Sequence, residues 1–326
     1  MKIAVVGAGA WGTALALVAN RNGHDVVLWG HNADHLSVLE RNRVNERCLP
    51  GIPLPPTLAL EPDLARATES AEVVVLAVPS TAFRAITERM GSSRALAVSV
   101  TKGIEYHTGL TMTGVVEQTM PHAIPCALSG PSLALEVARG IPTAVVAASV
   151  DPAKACQIQS AFHRPSFRIY SSTDLVGVEL GGALKNVIAI AAGVCDGLGF
   201  GDNSKAALVT RGRSEMTRLA VACGAEPATL SGLSGLGDLT VTCFSRLSRN
   251  RSFGERIGKG ESAAAILASS VSAVEGYPTT RSAHELALRR QITCPIIAEV
   301  HAMLYEGKDP RKAVSDLLDR DPKRED

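Results

Sequence analysis

Charge of one sign is what this chain of 326 residues has least of: Lys and Arg number 33 against 32 Asp and Glu, a formal net charge of +1. Such a balance leaves no electrostatic footprint for nucleic acid or an anionic membrane, and no basic block gathers charge apart from a short polar C-terminal tail. Paired cysteines are missing as well. Cys48, Cys126, Cys156, Cys195, Cys223, Cys243 and Cys294 are odd in number, widely scattered and never spaced C-x-x-C, which reads as reduced, mostly buried thiols of a cytoplasmic protein. Metal-ligand spacing is incomplete: His31 and His35 stand four apart with no third ligand following, and His284-Glu285 lacks the second histidine of a zinc helix, so no metal is expected. No charged leader or cleavage site precedes the first strand, and no internal repeat or low-complexity tract appears.

What is there begins at once. The apolar run Lys2-Ile3-Ala4-Val5-Val6 reads as a buried parallel strand, Gly7-Ala8-Gly9-Ala10-Trp11-Gly12 follows it, and Leu15, Val18 and Ala19 then recur at helical spacing. Gly7 permits the tight turn, Gly9 lets backbone N–H groups approach a pyrophosphate, and Gly12 lets the helix close on the strand. The sequence therefore predicts a dinucleotide at this turn. Which one depends on the end of the second strand, Asp25–Trp29. An NAD site usually has a carboxylate there for the ribose 2′-hydroxyl, whereas this chain has Gly30, His31 and Asn32. Nothing repels a 2′-phosphate, and His31 either donates to one or is an exposed loop histidine. NADPH is favoured, with NADH usable, and Gly30 is expected to serve a positive φ.

Strands alternate with helices through the first half, at 73–78, 95–100, 126–128, 143–148 and 167–170, which implies a doubly wound parallel sheet. The proline-rich stretch 49–56 reads as a loop. After Tyr170 the rhythm stops, Ser171-Ser172-Thr173-Asp174 supplies helix caps, and every later periodic segment is helical. A length of 326 residues favours two domains. They are expected to be a Rossmann-type nucleotide-binding domain over 1–173 and an all-helical domain over 174–326.

The helix predicted over 175–195 is apolar enough to pass for a membrane span, but Glu179 and Lys185 fall in its middle, where each would cost roughly 2.5–3.5 kcal/mol in a bilayer. A buried helix of a soluble protein is the better reading. Desolvation would lower the pKa of Lys185 and suit it to proton transfer with an alcohol; the alternatives are a lysine that snorkels to the surface or pairs with Glu179. Lys102 stands just past a parallel strand, at the edge where open α/β sheets bind ligands. Gly130 and Ser132 follow the next strand and offer donors to an anionic or hydroxylated substrate. Arg249 is either a phosphate fork or a solvated arginine beside Arg246 and Arg251.

Several motifs in order then closely resemble the bacterial type of NAD(P)-dependent glycerol-3-phosphate dehydrogenase, over essentially the whole chain. They are Gly-Ala-Gly-Ala-Trp-Gly-Thr-Ala-Leu-Ala at 7–16, Lys-Gly-Ile-Glu at 102–105, Leu-Ser-Gly-Pro-Ser at 128–132 with Glu136-Val137-Ala138, and Gly-Ala-Leu-Lys-Asn-Val at 182–187. Gly-Asp-Asn-Ser-Lys-Ala-Ala-Leu at 201–208, Gly-Leu-Gly-Asp-Leu at 235–239, Ser-Arg-Asn-Arg at 248–251 and Val-Glu-Gly at 274–276 complete the set. The resemblance implies interconversion of dihydroxyacetone phosphate and sn-glycerol 3-phosphate with NADP or NAD, supplying glycerophospholipid synthesis. It implies a helical half like the C-terminal domain of 6-phosphogluconate dehydrogenase, and a homodimer. It also puts the proton acceptor on Lys185, and substrate positions on Lys102, Gly130, Ser132, Lys185, Asp238, Ser248, Arg249 and Asn250. Cofactor positions fall on Gly7, Gly9, Ala10, Trp11, Gly12, His31, Lys102, Ala134, Arg249, Ala273 and Glu275.

The chain departs from the family's common residues at Leu133, Arg213 and Ala273, and the charge of Arg213 is expected to alter helix packing or a subunit interface. Two rivals are another two-domain dehydrogenase of the hydroxyacyl-CoA or ketopantoate type, and a nucleotide sensor without activity. Lys102 with Arg249 and Asn250 favours a small phosphorylated substrate over the first, and the presence of Lys185 and Asp238 speaks against the second.

Overall fold

The computed structural model describes residues 1–270, 273–321 and 324. Ten strands are present among them: β1 (Lys2–Val6), β2 (Asp25–Trp29), β3 (Val44–Asn45), β4 (Leu49–Pro53), β5 (Ala59–Glu61), β6 (Val73–Leu76), β7 (Leu96–Ser99), β8 (Ile124–Ser129), β9 (Thr143–Ala148) and β10 (Phe167–Ser172). Eight of them form one sheet in the order β10-β9-β8-β7-β6-β1-β2-β5. Its central strands are runs of Val, Ile, Leu and Ala with no exposed face, apart from Lys2 at the start of β1 and Ser99 at the end of β7, as a sheet covered by helices on both sides requires.

The sheet is parallel except at one junction, where β9 runs antiparallel to β8. The link between them contains one five-residue helix, Ala134–Ala138, and it does not carry the chain back across the sheet, so β9 starts from the edge where β8 ends. The expected loop over 49–56 is corrected in part: Leu49–Pro53 is β4, paired antiparallel with β3 in a separate two-stranded hairpin. Pro50 and Pro53 are tolerated because the hairpin has only edges, where a missing N–H removes no interior ladder bond. The three-residue strand β5 at the sheet margin shows no periodic signal in the sequence.

The rest is helical. Leu175–Gly197 is the central helix, with Asp174 accepting a hydrogen bond from Gly177 N at 2.8 Å as its cap. It is the one helix among the described residues long and apolar enough to cross a membrane, yet 94% of its most apolar window is buried inside the protein. The Asp202–Ala222, Asp238–Phe244, Arg249–Gly258 and Gly276–Arg290 helices pack around it. Its closest neighbour is Arg249–Gly258, and glycines make that approach possible. A Cβ at Gly193 or Gly197 would lie 2.0 Å from Arg251 O or 2.3 Å from Glu255 O, and one at Gly254 would lie 2.0 Å from Ile190 O. Arg213 is half-buried and donates to Ser231 Oγ at 3.1 Å.

Candidate active site

A cavity of about 700 Å³ opens along the carboxyl edge of β1, β2, β6 and β7 and runs to the central helix. Its fingerprint wall carries three glycines whose backbone geometry differs from one to the next. Gly7 has φ +126° and a Cβ there would lie 2.4 Å from Ala77 O, while one at Gly12 would meet Gly7 O at 1.9 Å. At Gly9 nothing lies within 4 Å of the added atom, so the backbone faces open space. Gly9 also precedes the Ala10–Arg21 helix without any side-chain cap, which leaves that helix's first N–H groups for a bound anion. Trp11 lines the same cavity, and its buried indole N–H has no partner among the described residues. Open backbone, uncapped donors and an unmatched indole N–H are what a dinucleotide pyrophosphate would fill, so the residues present fit the group.

Gly30, His31 and Asn32 line the cavity beyond β2, with His35 beside them. The expected positive φ at Gly30 is not found. The position is crowded instead: a Cβ would lie 3.1 Å from Ala8 Cβ and 3.2 Å from Leu36 Cδ2, so those side chains would have to give by a few tenths of an ångström. Asn32 caps the Ala33–Asn42 helix by accepting from His35 N at 2.8 Å. Ala134 and Ala273 line the cavity as well. Glu275 is held at its edge, accepting from Ser80 N at 3.2 Å and Ser80 Oγ at 2.6 Å, and burial raises its pKa.

At the other end of the cavity two lysines share one carboxylate. Lys102, at the end of β7, donates to Asp238 Oδ2 at 2.6 Å, to Gly130 O at 2.9 Å and to Ser132 Oγ at 3.3 Å. Lys185, on the central helix, donates to Asp238 Oδ1 at 3.0 Å and to Thr242 Oγ1 at 2.7 Å. Asp238 is 1% exposed, and it follows directly on a π-helical turn at Leu233–Gly237. Such wide turns are rare and occur often at functional sites, where they re-aim the next residue.

Burial, helped by the neighbouring Lys102 ammonium and opposed by Asp238, brings the Lys185 pKa down to about 8. Two ammonium groups against one carboxylate leave the pocket a net positive charge. The alternative partner for Lys185 is not used: Glu179 accepts from Thr113 N at 3.0 Å and from Thr113 Oγ1, and burial raises its pKa to about 7.

Ser248, Arg249 and Asn250 open the Arg249–Gly258 helix, and all three line the cavity. The Ser248 hydroxyl oxygen accepts from Arg251 N at 3.2 Å, so it caps the helix and keeps its own proton to donate. Asn250 donates to Asn186 Oδ1 at 2.8 Å and accepts from Gly276 N at 2.9 Å. Asn186 in turn donates to Lys102 O at 3.1 Å, which ties the two halves of the site together. Arg249 is exposed with no hydrogen-bond or ion-pair partner among the described residues. Gly130 and Asp238 are not on the cavity wall; they stand behind it and hold Lys102.

Sequence reasoning gave no role to Asn186, Thr242, Ser80 or Arg47, all of which belong to this site or its frame. Ser80 could have been found by extending the carboxyl-edge rule to β6. Asn186 and Thr242 lie one helical step from named residues and carried no signal of their own.

The whole chain is similar to known dehydrogenases. Residues 2–155 match the family model described as NAD-dependent glycerol-3-phosphate dehydrogenase N-terminus, and residues 174–315 match its C-terminus. A protein of Anaeromyxobacter dehalogenans named glycerol-3-phosphate dehydrogenase [NAD(P)+] is 50% identical, with 100% of both chains covered. One of the same name from Chlorobium phaeobacteroides is 46% identical over 100% of this chain and 99% of its own. The crystal structure of glycerol-3-phosphate dehydrogenase from Coxiella burnetii superposes with a TM-score of 0.94 at 41% identity, covering 98% of this chain and 99% of that one.

Proposed function

The chain belongs to the NAD-dependent glycerol-3-phosphate dehydrogenase family, and from that premise we propose how its own residues interconvert dihydroxyacetone phosphate and sn-glycerol 3-phosphate. The observation that carries the reading is the buried Lys102–Asp238–Lys185 bridge at the inner end of the dinucleotide cavity. Gly7 to Trp11 would hold the dinucleotide, whose reduced nicotinamide would supply the hydride for ketone reduction and whose oxidised form would accept one in alcohol oxidation. Lys185 supplies the matching proton. As an ammonium it protonates the carbonyl oxygen during reduction, and as an amine it removes the hydroxyl proton during oxidation. Asp238 and Thr242 hold its Nζ in place, and the ammonium of Lys102 stabilises negative charge developing on the same oxygen.

The two ends of the substrate need different partners. Arg249 is the fork for the phosphate, with the N–H groups and hydroxyl at the start of its helix beside it. Ser132 and Asn250 serve the hydroxyl groups, and Gly130 positions Lys102. In this reading the first domain, over 1–173, holds the cofactor and the second, over 174–326, supplies most of the substrate contacts. A dimer and a cytoplasmic location complete the proposal.

One assay tests it: NADPH oxidation with dihydroxyacetone phosphate, compared with a 3-ketoacyl-CoA and with ketopantoate. Turnover with the phosphate ester alone supports the reading. Faster turnover with either of the others would reassign the substrate, and binding of nucleotide without turnover of any would make the chain a sensor.

A further inference from the structure

Asn45 is fully buried although it lies on a two-residue strand beside the mouth of the cleft. Its carboxamide has three partners. Nδ2 donates to Ala8 O at 3.0 Å and to Thr13 Oγ1 at 2.9 Å, and Oδ1 accepts from His35 Nε2 at 3.2 Å. One side chain thereby fastens the β3–β4 hairpin to the fingerprint turn on one side and to the helix after β2 on the other. Those are the two walls that flank the adenosine ribose in a doubly wound nucleotide site.

What the hairpin presents there is Arg47, two residues further on. Arg47 lines the cavity together with His31, Asn32 and His35. It is exposed, and its guanidinium has no hydrogen-bond or ion-pair partner among the described residues. Arg43, before β3, is committed to the protein, donating to Leu58 O at 2.9 Å and to Glu40 Oε1 at 2.9 Å. Cys48, Leu49 and Pro50 line the same cavity, so this part of the hairpin faces the cleft rather than away from it.

We propose that Arg47 binds the adenosine 2′-phosphate of NADP and sets the preference of this chain between NADP and NAD. The inference rests on the dinucleotide reading of the cavity given above. The pyrophosphate already has the uncapped helix at Ala10, so the ribose end is where a further cation is needed. A guanidinium is charged at every working pH, and its planar fork matches a phosphate bidentately. No carboxylate after Trp29 opposes it, and Asn45 removes much of the loop freedom that would otherwise be lost on binding.

The test uses the full chain, and fragments as well as turnover. Calorimetric affinities for adenosine 2′,5′-bisphosphate and for adenosine 5′-monophosphate are compared between wild type, Arg47→Ala and Arg47→Lys. The NADPH-to-NADH ratio of kcat/KM is measured alongside. Arg47→Ala is expected to weaken the bisphosphate about tenfold or more, to leave the monophosphate within about twofold, and to lower the cofactor ratio by the same factor as the bisphosphate affinity; Arg47→Lys is expected to fall between. Equal weakening of both fragments would assign Arg47 to the pyrophosphate end and overturn the proposal, as would an unchanged ratio in a wild type that does prefer the bisphosphate. A wild type that binds neither fragment would instead bring down the dinucleotide reading on which the proposal stands.

Discussion

At the scale of single residues, Lys185 shows how surroundings suit an ordinary side chain to the acid and base role proposed for it. Burial brings its pKa down to about 8, so below that value the ammonium predominates and can protonate a carbonyl, and above it the free amine can take a proton from an alcohol. Ketone reduction is therefore expected to slow as pH rises through about 8, and alcohol oxidation to speed up over the same range. Lys185→Ala is expected to lower turnover about 10²-fold or more and to flatten both profiles, with cofactor affinity near wild type. Steady-state kinetics across pH in both directions check this, and a variant with full turnover and only a raised KM would move the proton to another group. The lysine itself was legible in the sequence as a charge within an apolar helix. Its partner was not, because Glu179, nearby along the same helix, and Asp238, 53 residues away, are equally plausible until the chain is folded.

Among elements, the decisive contact is between the Leu175–Gly197 and Arg249–Gly258 helices. Gly193 and Gly197 on one face Gly254 and Gly258 on the other, and each lets a backbone carbonyl of the partner come within the reach of a side chain. That closeness brings Arg249 and Asn250, the first two residues of the second helix, up to Asn186 on the first. Gly254→Ala puts a methyl carbon 2.0 Å from Ile190 O, so the helices must part. The expected result is a loss of about 1–3 kcal/mol in stability together with a raised KM for dihydroxyacetone phosphate. Thermal unfolding and kinetics measure the two effects, and an unchanged KM would show that the start of the helix is held independently of its packing. Both glycine pairs are visible in the sequence as small residues four apart. That they face one another is a property of packing, and spacing within one helix says nothing about which helix it meets. The β3–β4 hairpin is a similar case: its prolines read as a loop, and it is pairing with β3 and the grip of Asn45 that make it a strand.

Over the whole molecule, hydrogen bonds stitch the first half of the chain to the second at several places: Lys102 to Asp238, Asn186 to Lys102 O, Thr113 to Glu179 and Ser80 to Glu275. Several of these groups are buried ions or their partners, and exposing one without its partner is costly. Unfolding is accordingly expected to occur in one calorimetric transition that NADPH shifts upward as a unit, by about 2.7 kcal/mol of stability at a hundred times its Kd. Two resolved peaks, with only one moved by cofactor, would show that the halves unfold separately. By itself the sequence determined the fingerprint, the strand-and-helix rhythm, the turn to helices beyond the strand that starts at Phe167 and the residues that carry the family resemblance, because those depend on neighbours a few positions apart and on local sterics. The tertiary structure alone decided the reversed strand β9, the shared carboxylate between two distant lysines, the crowding at Gly30 and the place of Arg47. Each of these depends on atoms far apart in the chain meeting within a few ångströms, and neither periodicity nor composition encodes that distance.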